Sequence, residues 1–390
     1  MGLTEALVER ASAKSALILV PGLLLAYVIV AVVVRPAWQE IKLARMPGTR
    51  APRIKSKLPF GLDFLWGSVT SAQKNQNLAF WNKMLGEAGA YTVEGRIAGR
   101  RIVFTADHEN IKAILATQFN DYGKGEPFHQ EWRAFLGDSI FTTDGALWHD
   151  SRQLIRPQFI RDRVSDLHVF EKHMRILFRA IANGGALDGE NQPVDIDAGN
   201  GKPVEISDLF FRFTLDSATE FLLGHDVKSL RRQTAKKKKK KKKKNVRLAL
   251  RDTTLPRGGG PDGLEPVKVL KDTPIAYSTL VMQRREDLYP PPGAGAGAGA
   301  ASAPADAFSP DRWATWQPRP WQYIPFNGGP RICIGQQFAL TEMAYVLTRL
   351  FQRYDRIDNY THRHPGLKAD IVLQPAEGVR VGLWEARTEK

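Results

Sequence analysis

The sequence predicts a mainly α-helical protein with small β-sheets, preceded by an N-terminal membrane helix. Four patterns carry this prediction. After Gln336, an apolar residue recurs every three or four positions, at Ala339, Met343, Leu347, Leu350 and Tyr354, which predicts a long helix with this face against a core. The stretch from Asp208 to Gly224 is apolar around most of its circumference, which is typical of a helix central to a large core. Shorter apolar runs broken by glycines, as from Tyr91 to Thr105, are typical of small hairpins. The stretch from Ala16 to Val34 is almost wholly apolar and carries no charge.

Composition places the chain among globular proteins with a membrane attachment. Its 390 residues are 43% hydrophobic, which is enough to build a core. The single cysteine excludes an internal disulfide framework and suits a reducing compartment. Nine of the +15 net charges form the run Lys236 to Lys244, so the rest of the chain carries only +6. No aromatic residues interrupt that run to stack on bases, and no nucleic acid partner is expected.

The N-terminal segment 15–35 predicts a single transmembrane anchor. At about 1.5 Å per residue, a helix over this stretch nearly spans a bilayer core. Seven Lys or Arg residues lie between Arg35 and Lys57, against two before the segment. This asymmetry predicts a lumenal N-terminus over 1–14 and a cytosolic domain after the anchor. The basic, proline-containing stretch 36–60 predicts a stiff linker on an anionic membrane surface.

The remainder of the chain divides at the lysine run. Residues 61–235 form the first predicted part of the folded domain, where Asp107 caps one helix and Gly224 ends another. The run 236–244 repels itself and predicts solvated coil. Residues 245–390 form the second part, and Ile371 to Trp384 predicts a closing hairpin.

A helix that begins at Asp144 and Gly145 and ends at Pro157 presents Trp148 and Arg152 four residues apart on one face. An indole N–H beside a guanidinium suits a carboxylate ligand. The alternative is a surface cation stacked on an aromatic ring.

The only cysteine, Cys333, lies in a glycine-rich loop just before the helix that begins at Gln336. Unpaired amides and the positive end of the helix dipole favour a thiolate at such a position. Glycines let the backbone approach a flat ligand, so the loop suits a haem iron held through sulfur. Two alternatives are an inert core cysteine and a catalytic nucleophile, which would need a histidine partner.

The pattern Phe326-x-x-Gly329-x-Arg331-x-Cys333-x-Gly335, followed by Ala339, resembles the haem-binding loop of the cytochrome P-450 superfamily. The resemblance implies a haem-thiolate fold and haem b (iron protoporphyrin IX) as cofactor. It implies that Cys333 is the axial ligand of the iron and that Phe326 packs against the sulfur. The cofactor-binding residues implied by the resemblance are Trp148, Arg152, Phe326, Gly329, Arg331, Cys333, Gly335 and Ala339, of which Trp148, Arg152 and Arg331 would hold the propionates.

Two superfamily elements are missing, so the fold is expected to be incomplete in the middle. One is the distal helix, whose acid and alcohol relay protons. The sequence from Ala249 to Thr254 is similar to this element. Pro256 and three glycines follow it, however, so a helix over this stretch could not continue. The other is Glu-x-x-Arg, for which Glu377 to Arg380 is the only match and lies after Cys333 between strands. No catalytic acid-alcohol pair is therefore predicted. The gap would fall at the lysine run, as in a deleted or misassembled longer monooxygenase.

Several stretches resemble the fungal branch that hydroxylates alkanes and fatty acids, among them Leu255 to Gly263. The resemblance implies a monooxygenase of the endoplasmic reticulum membrane that inserts one oxygen atom from O2 into a C–H bond of a small apolar substrate. An NADPH-dependent flavoprotein reductase would supply the electrons, and membrane lipid would surround the anchor. Two alternatives are a truncated haem-binding relic without activity and a basic scaffold that binds membrane or nucleic acid through the lysine run.

Overall fold

The computed structural model describes residues 21–23, 25–26, 29–97, 99–164, 166–232, 245–289, 303–361, 366–369 and 373–385. The predicted lumenal segment 1–14, much of the anchor 15–35 and the lysine run 236–244 lie outside the described residues. Within the described part, no helix is both long and apolar enough to cross a membrane.

Helices dominate the described residues, as predicted. They are α1 (Arg35–Ala44), α2 (Leu62–Gln73), α3 (Asn77–Ala88), α4 (His108–Lys112), α5 (Glu126–Leu136), α6 (Gly145–Ile155), α7 (Arg161–Val164), α8 (His168–Asn183), α9 (Ile206–Leu223), α10 (Thr279–Met282), α11 (Arg312–Thr315) and α12 (Gln336–Arg353).

The strands are short and form small sheets. They are β1 (Thr92–Ile97), β2 (Arg100–Thr105), β3 (Tyr122–Gly123), β4 (Val204–Glu205), β5 (Val246–Ala249), β6 (Thr253–Gly259), β7 (Glu265–Val269), β8 (Pro274–Tyr277), β9 (Tyr354–Asn359), β10 (Leu367–Ala369), β11 (Leu373–Pro375) and β12 (Arg380–Glu385). The main sheet has the order β1-β2-β8-β5-β3, in which only β2 and β8 pair in parallel. The other sheets are β4-β12-β9, β6-β7 and β10-β11.

Local sequence signals set several of these elements. The predicted hairpin is β1 and β2, with Thr92 opposite Thr105. Asp107 caps α4 by accepting hydrogen bonds from two backbone amides of its first turn, and Gly224 ends α9 at φ +77°. The predicted closing hairpin over 371–384 is wrong, because β11 pairs with β10 whereas β12 pairs with β9 and β4. A sequence pattern can predict a strand, but it does not identify the distant strand with which that strand pairs.

The main helical core joins α8, α9 and α12. Leu177 and Ile181 of α8, Phe213 of α9 and Leu350 of α12 are buried in one apolar cluster with residues of β12. Ser217 of α9 donates a hydrogen bond to Glu342 of α12 within this core. The helix after Gln336 and the helix over 208–224 are therefore core helices, as their apolar patterns predict.

Within the described part of the chain, α9 and α12 each have one apolar face that no other element covers. The sequence predicts that Met343 and Leu347 face the core, but they are 49% and 52% exposed, and the buried row of α12 runs through Phe338, Glu342, Val346 and Leu350 instead. The exposed apolar residues that form these faces are Leu215, Leu222 and Leu223 on α9 and Leu340, Met343, Leu347 and Phe351 on α12. In the described part, α8 and α9 cover only one side of α12.

The stretch 36–60 packs along the sheets. After α1, Thr49 bridges Val267 of β7 and Arg53 bridges Glu94 of β1. Glu40 of α1 accepts hydrogen bonds from Arg50 and, at 2.7 Å, from Arg96 of β1. These contacts tie the segment predicted as a linker to the first hairpin.

Candidate functional site

The loop that carries Cys333 is held by backbone hydrogen bonds. The amide of Cys333 donates to the carbonyl of Phe326 at 2.9 Å, and the amide of Ile332 donates to the carbonyl of Gly329 at 3.0 Å. The Cys333 side chain is exposed and is a free thiol. The loop thus presents the sulfur outward, just before the first turn of α12.

Gly329 is required where this loop crosses the residues after α4. Its φ is +69°, a conformation that side chains rarely adopt, and an added Cβ would overlap the carbonyl oxygen of Leu115. Gly335 has an ordinary φ, and a Cβ there would meet the Phe159 ring at 3.5 Å. Ala339 follows in the first turn of α12, and its amide donates to the carbonyl of Gly335 at 3.0 Å. Gly329 therefore permits a close backbone crossing.

Helix α6 brings its two predicted residues to the same loop. Arg152 Nη2 donates a hydrogen bond of 2.8 Å to the carbonyl oxygen of Ile332, the residue before Cys333. The guanidinium of Arg152 also lies 5.8 Å from the centre of the buried Trp148 ring. Burial lowers the pKa of Arg152, Arg156 nearby lowers it further, and Cys333 opposes the shift.

Arg331 lies between α6 and the loop. Its guanidinium is 4.5 Å from the centre of the Trp148 ring and 5.6 Å from that of Phe119. Its Nη2 donates to Asp144 Oδ1 at 2.6 Å and to the Thr143 carbonyl at 3.0 Å. Burial lowers the pKa of Arg331 to about 10, although Asp144 raises it, so the group is a cation at neutral pH.

The donor set in this region suits haem. It combines an exposed thiol with an indole and two guanidinium groups, the groups expected for a sulfur ligand and two propionate carboxylates. Among the described residues, the indole N–H of Trp148 and the Nε–H groups of Arg152 and Arg331 donate no hydrogen bond to protein. Phe326 is partly buried at the start of the loop. These donors remain available to an anionic ligand.

A sequence model described as Cytochrome P-450 matches residues 59–255 and 267–381. The chain belongs to the cytochrome P-450 family. Members of this family are haem-containing oxidoreductases that act with a redox partner, so the cytochrome P-450 character of the chain implies the haem cofactor.

Curated fungal proteins resemble this cytochrome P-450 along most of its length. It is 36% identical to cytochrome P-450 monooxygenase pvhE of Talaromyces variabilis, over 90% of this chain and 92% of that protein. It is 28% identical to cytochrome P-450 52A1 of Candida tropicalis, over 78% of this chain and 82% of that protein. The first alignment runs over 504 positions, whereas 90% of 390 residues is about 351. About 150 positions of that alignment therefore lie opposite gaps in this chain.

Solved structures show the same fold. The haem domain of cytochrome P450DA has a TM-score of 0.60 at 14% identity, covering 87% of this chain and 98% of that one. A six-coordinated cytochrome P-450 of Thermus thermophilus has a TM-score of 0.54 at 15% identity, covering 79% of this chain and 98% of that one. At this level of identity the likeness concerns the fold alone.

The stretch Ala249 to Thr254, whose sequence is similar to that of the distal helix, does not form a helix that carries an acid and an alcohol. Residues 249–254 end β5, turn and begin β6, so they are not helical. Glu377 accepts a hydrogen bond from the Gly366 amide, and no ion pair joins it to Arg380 among the described residues. Both rejections of these sequence matches are therefore consistent with the structure.

Arg312 is a buried arginine without a carboxylate partner among the described residues. It is 4% exposed, and its guanidinium bonds only to the carbonyls of Pro304, Ala307 and Ser309. No described carboxylate forms an ion pair with it, and its buried Nη1 has no hydrogen-bond partner. An unpaired buried guanidinium is costly, because it has lost water without gaining an anion.

The sequence missed one polar contact of the site. The sequence predicts Asp144 only as the start of α6, yet its side chain caps no amide of that helix and pairs with Arg331 instead. An acidic residue four positions before Trp148 was the available signal. The partner lies 187 residues away, so only the fold reveals it.

Proposed function

We propose that this chain is built as a haem-thiolate monooxygenase with Cys333 as the axial ligand. The observation that carries the proposal is the meeting of α6 with the cysteine loop, where Arg152 bonds to the carbonyl before Cys333 and Arg331 stacks on Trp148. Two motifs about 180 residues apart in sequence thereby present a thiol and three donors for carboxylates in one region. A structural cysteine needs no such surroundings.

Each residue has a role in holding haem b. Phe326 packs against the sulfur, and Gly329 and Gly335 keep the backbone of the loop free of side chains. Ala339 lies in the first turn of the helix behind the loop and places no bulky group there. The remaining N–H groups of Trp148, Arg152 and Arg331 bind the propionates.

When bound through a cysteine sulfur, haem supplies the activation of O2 and the insertion of one oxygen atom into a C–H bond. The chain's own contribution is to bind the carboxylates, orient the ring and fix the sulfur. The substrate class is apolar, a fatty acid or n-alkane. This assignment rests on the resemblance to the fungal hydroxylase branch.

An exposed apolar surface supports a site of action at the endoplasmic reticulum membrane. Helix α2 exposes Leu62, Leu65, Trp66 and Val69 at helical spacing, and Trp66 is 73% exposed. An apolar row of this kind suits the interface of a bilayer. The apolar segment 15–35 supplies the single-pass anchor, and an NADPH-dependent flavoprotein reductase supplies electrons from the cytosolic side.

The deciding measurement is the absorption spectrum of the reduced, carbon-monoxide-bound protein. The wild type should show a Soret band of the thiolate type, and the Cys333→Ala variant should lack it. A wild type without any haem signal would refute the proposal. Added reductase and a fatty acid should then yield hydroxylated product.

A second candidate is a haem-binding relic without activity. An incompletely covered core favours it. The uncovered rows of α9 and α12, the unpaired Arg312 guanidinium and about 150 gapped alignment positions all indicate a missing internal segment. Without a distal wall, a bound haem would be open to water, and the expected product would be peroxide rather than hydroxylated substrate. Peroxide without hydroxylated product in the reductase assay would support the relic. Sequencing the transcript across Lys236 to Lys244 shows whether the chain is encoded as written.

A further inference from the structure

The carboxylate of Asp144 is held from two sides. Its Oδ2 accepts hydrogen bonds from the backbone amides of Lys124 at 2.7 Å and Gly125 at 2.9 Å. Its Oδ1 accepts the 2.6 Å bond from Arg331 Nη2. One carboxylate thus ties the end of β3 to the cysteine loop. Both oxygens accept, so an amide side chain could not make the same set of bonds.

The chain leaves a space for this carboxylate. Gly123 of β3 has no side chain, and a Cβ there would lie only 2.7 Å from Asp144 Oδ2. Adding a methyl group at this position must displace the carboxylate. The amides of Lys124 and Gly125 and the bare Cα of Gly123 together form a fitted cradle for one anion, which the Asp144 side chain fills.

Arg331 is fixed on the remaining sides. Its Nη2 hydrogens go to Asp144 and to the Thr143 carbonyl, and one Nη1 hydrogen goes to the Ile140 carbonyl at 3.4 Å. The Trp148 ring covers one face of the guanidinium, and the side chain is 8% exposed. Of the five N–H groups, Nε–H and one Nη1–H therefore remain without an acceptor among the described residues.

We infer that Asp144 is the positioning residue that aims these two remaining N–H groups of Arg331 at a haem propionate and partly cancels the charge of the guanidinium. This inference rests on the proposed function, in which Arg331 binds a propionate. Asp144 touches neither haem nor substrate in this role. A guanidinium freed from Asp144 would rotate, and its full positive charge would act on the haem.

Two variants separate the positioning of Arg331 from the partial cancelling of its charge. Asp144→Asn removes the charge and one of the two acceptor sides. Gly123→Ala keeps the charge but displaces the carboxylate. Asp216→Asn is the control, because the Asp216 carboxylate likewise accepts hydrogen bonds from two backbone amides, those of Ser229 at 2.7 Å and Leu230 at 3.0 Å, at a different and more deeply buried place in the fold.

The experiment measures the rate of haem transfer from the full-length holoprotein to excess apomyoglobin, and the midpoint potential of the haem. Asp144→Asn should release haem about tenfold faster, as expected for one lost charge-assisted hydrogen bond, and its potential should rise because a negative charge is gone. Gly123→Ala should release haem faster without that rise. Asp216→Asn should lower the resistance to urea and leave both haem readouts unchanged.

The outcomes distinguish a failure of the Asp144 role from a failure of haem binding itself. If Asp144→Asn holds haem as tightly as the wild type and has the same potential, Asp144 is a structural residue only and the inference is wrong. If all three variants release haem equally faster, the effect comes from general loss of stability, and the inference is again wrong. A wild type that takes up no haem would refute the proposed function itself.

Discussion

The guanidinium of Arg331 lies 4.5 Å from the centre of the Trp148 ring. This contact joins the cysteine loop to α6, two segments that are far apart in the sequence. Arg152, on the same helix as Trp148, makes a second contact between the helix and the loop by donating a hydrogen bond to the Ile332 carbonyl. The Trp148 ring therefore orders both cations that we assign to the propionates.

Removing the Trp148 ring should weaken haem binding. A cation–π contact contributes about 0.5–2 kcal/mol, so Trp148→Ala should lower the affinity for haem by roughly 2- to 30-fold. Trp148→Phe should lose less, since it keeps an aromatic face for the guanidinium groups, although it lacks the pyrrole part of the indole and its N–H. Titration of the apoprotein with haemin measures the affinity. Trp66→Ala, at a site 73% exposed on α2, is the control and should bind haem normally.

Gly329→Ala should destabilise the fold more than the same change at another left-handed glycine. The comparison is Gly89, which has φ +62° in the left-handed region and no atom within 4 Å of an added Cβ. Gly89→Ala should cost about 1 kcal/mol from backbone strain alone, whereas Gly329→Ala adds the overlap with the Leu115 carbonyl. Urea unfolding followed by circular dichroism measures both. Equal losses would show that the loop moves aside freely.

Glu94 and Arg101 form an ion pair between β1 and β2 in which both side chains are 2% exposed. Glu94→Gln should lower the free energy of unfolding by about 3–5 kcal/mol, because it leaves a buried guanidinium without its anion. Glu87→Gln is the matched control, since its pair with Lys83 is exposed and 3.9 Å long. It should cost less than about 1 kcal/mol. A similar small loss in Glu94→Gln would mean that water reaches the buried pair.

Glu342 should make stability depend on pH. Burial raises its pKa above the ordinary value, and the hydrogen bond from Ser217 only partly opposes this. The folded state therefore binds a proton more tightly than the unfolded state, so stability falls as pH rises from the unfolded pKa of 4.5 through the higher folded pKa.

The Glu342→Gln variant removes this titration. It should resist urea better than the wild type at pH 8, and the advantage should shrink towards pH 4.5. Urea midpoints across this range provide the measurement, with exposed Glu87→Gln as the control. An advantage that stays constant with pH would show that Glu342 does not change its protonation on unfolding.

The sequence by itself determined the family, the cysteine loop and the local elements. The apolar patterns predicted α9 and α12, Asp107 and Gly224 set helix ends, and Gly329 stands where the backbone needs a left-handed residue. Such signals lie within a few residues of one another, so the chain alone carries them. The rejection of the helix-like stretch 249–254 also followed from local chemistry, because proline and glycines end a helix.

Only the tertiary structure decided which faces and partners these elements meet. Periodicity cannot tell which side of α12 is covered, and the structure leaves Met343 and Leu347 exposed where the sequence predicted a core. The partner of Arg331 was also hidden, because Asp144 reaches it from 187 residues away through the packing of β3 and α6 against the cysteine loop. Burial and pairing are properties of the assembled fold, and residues distant along the chain create them.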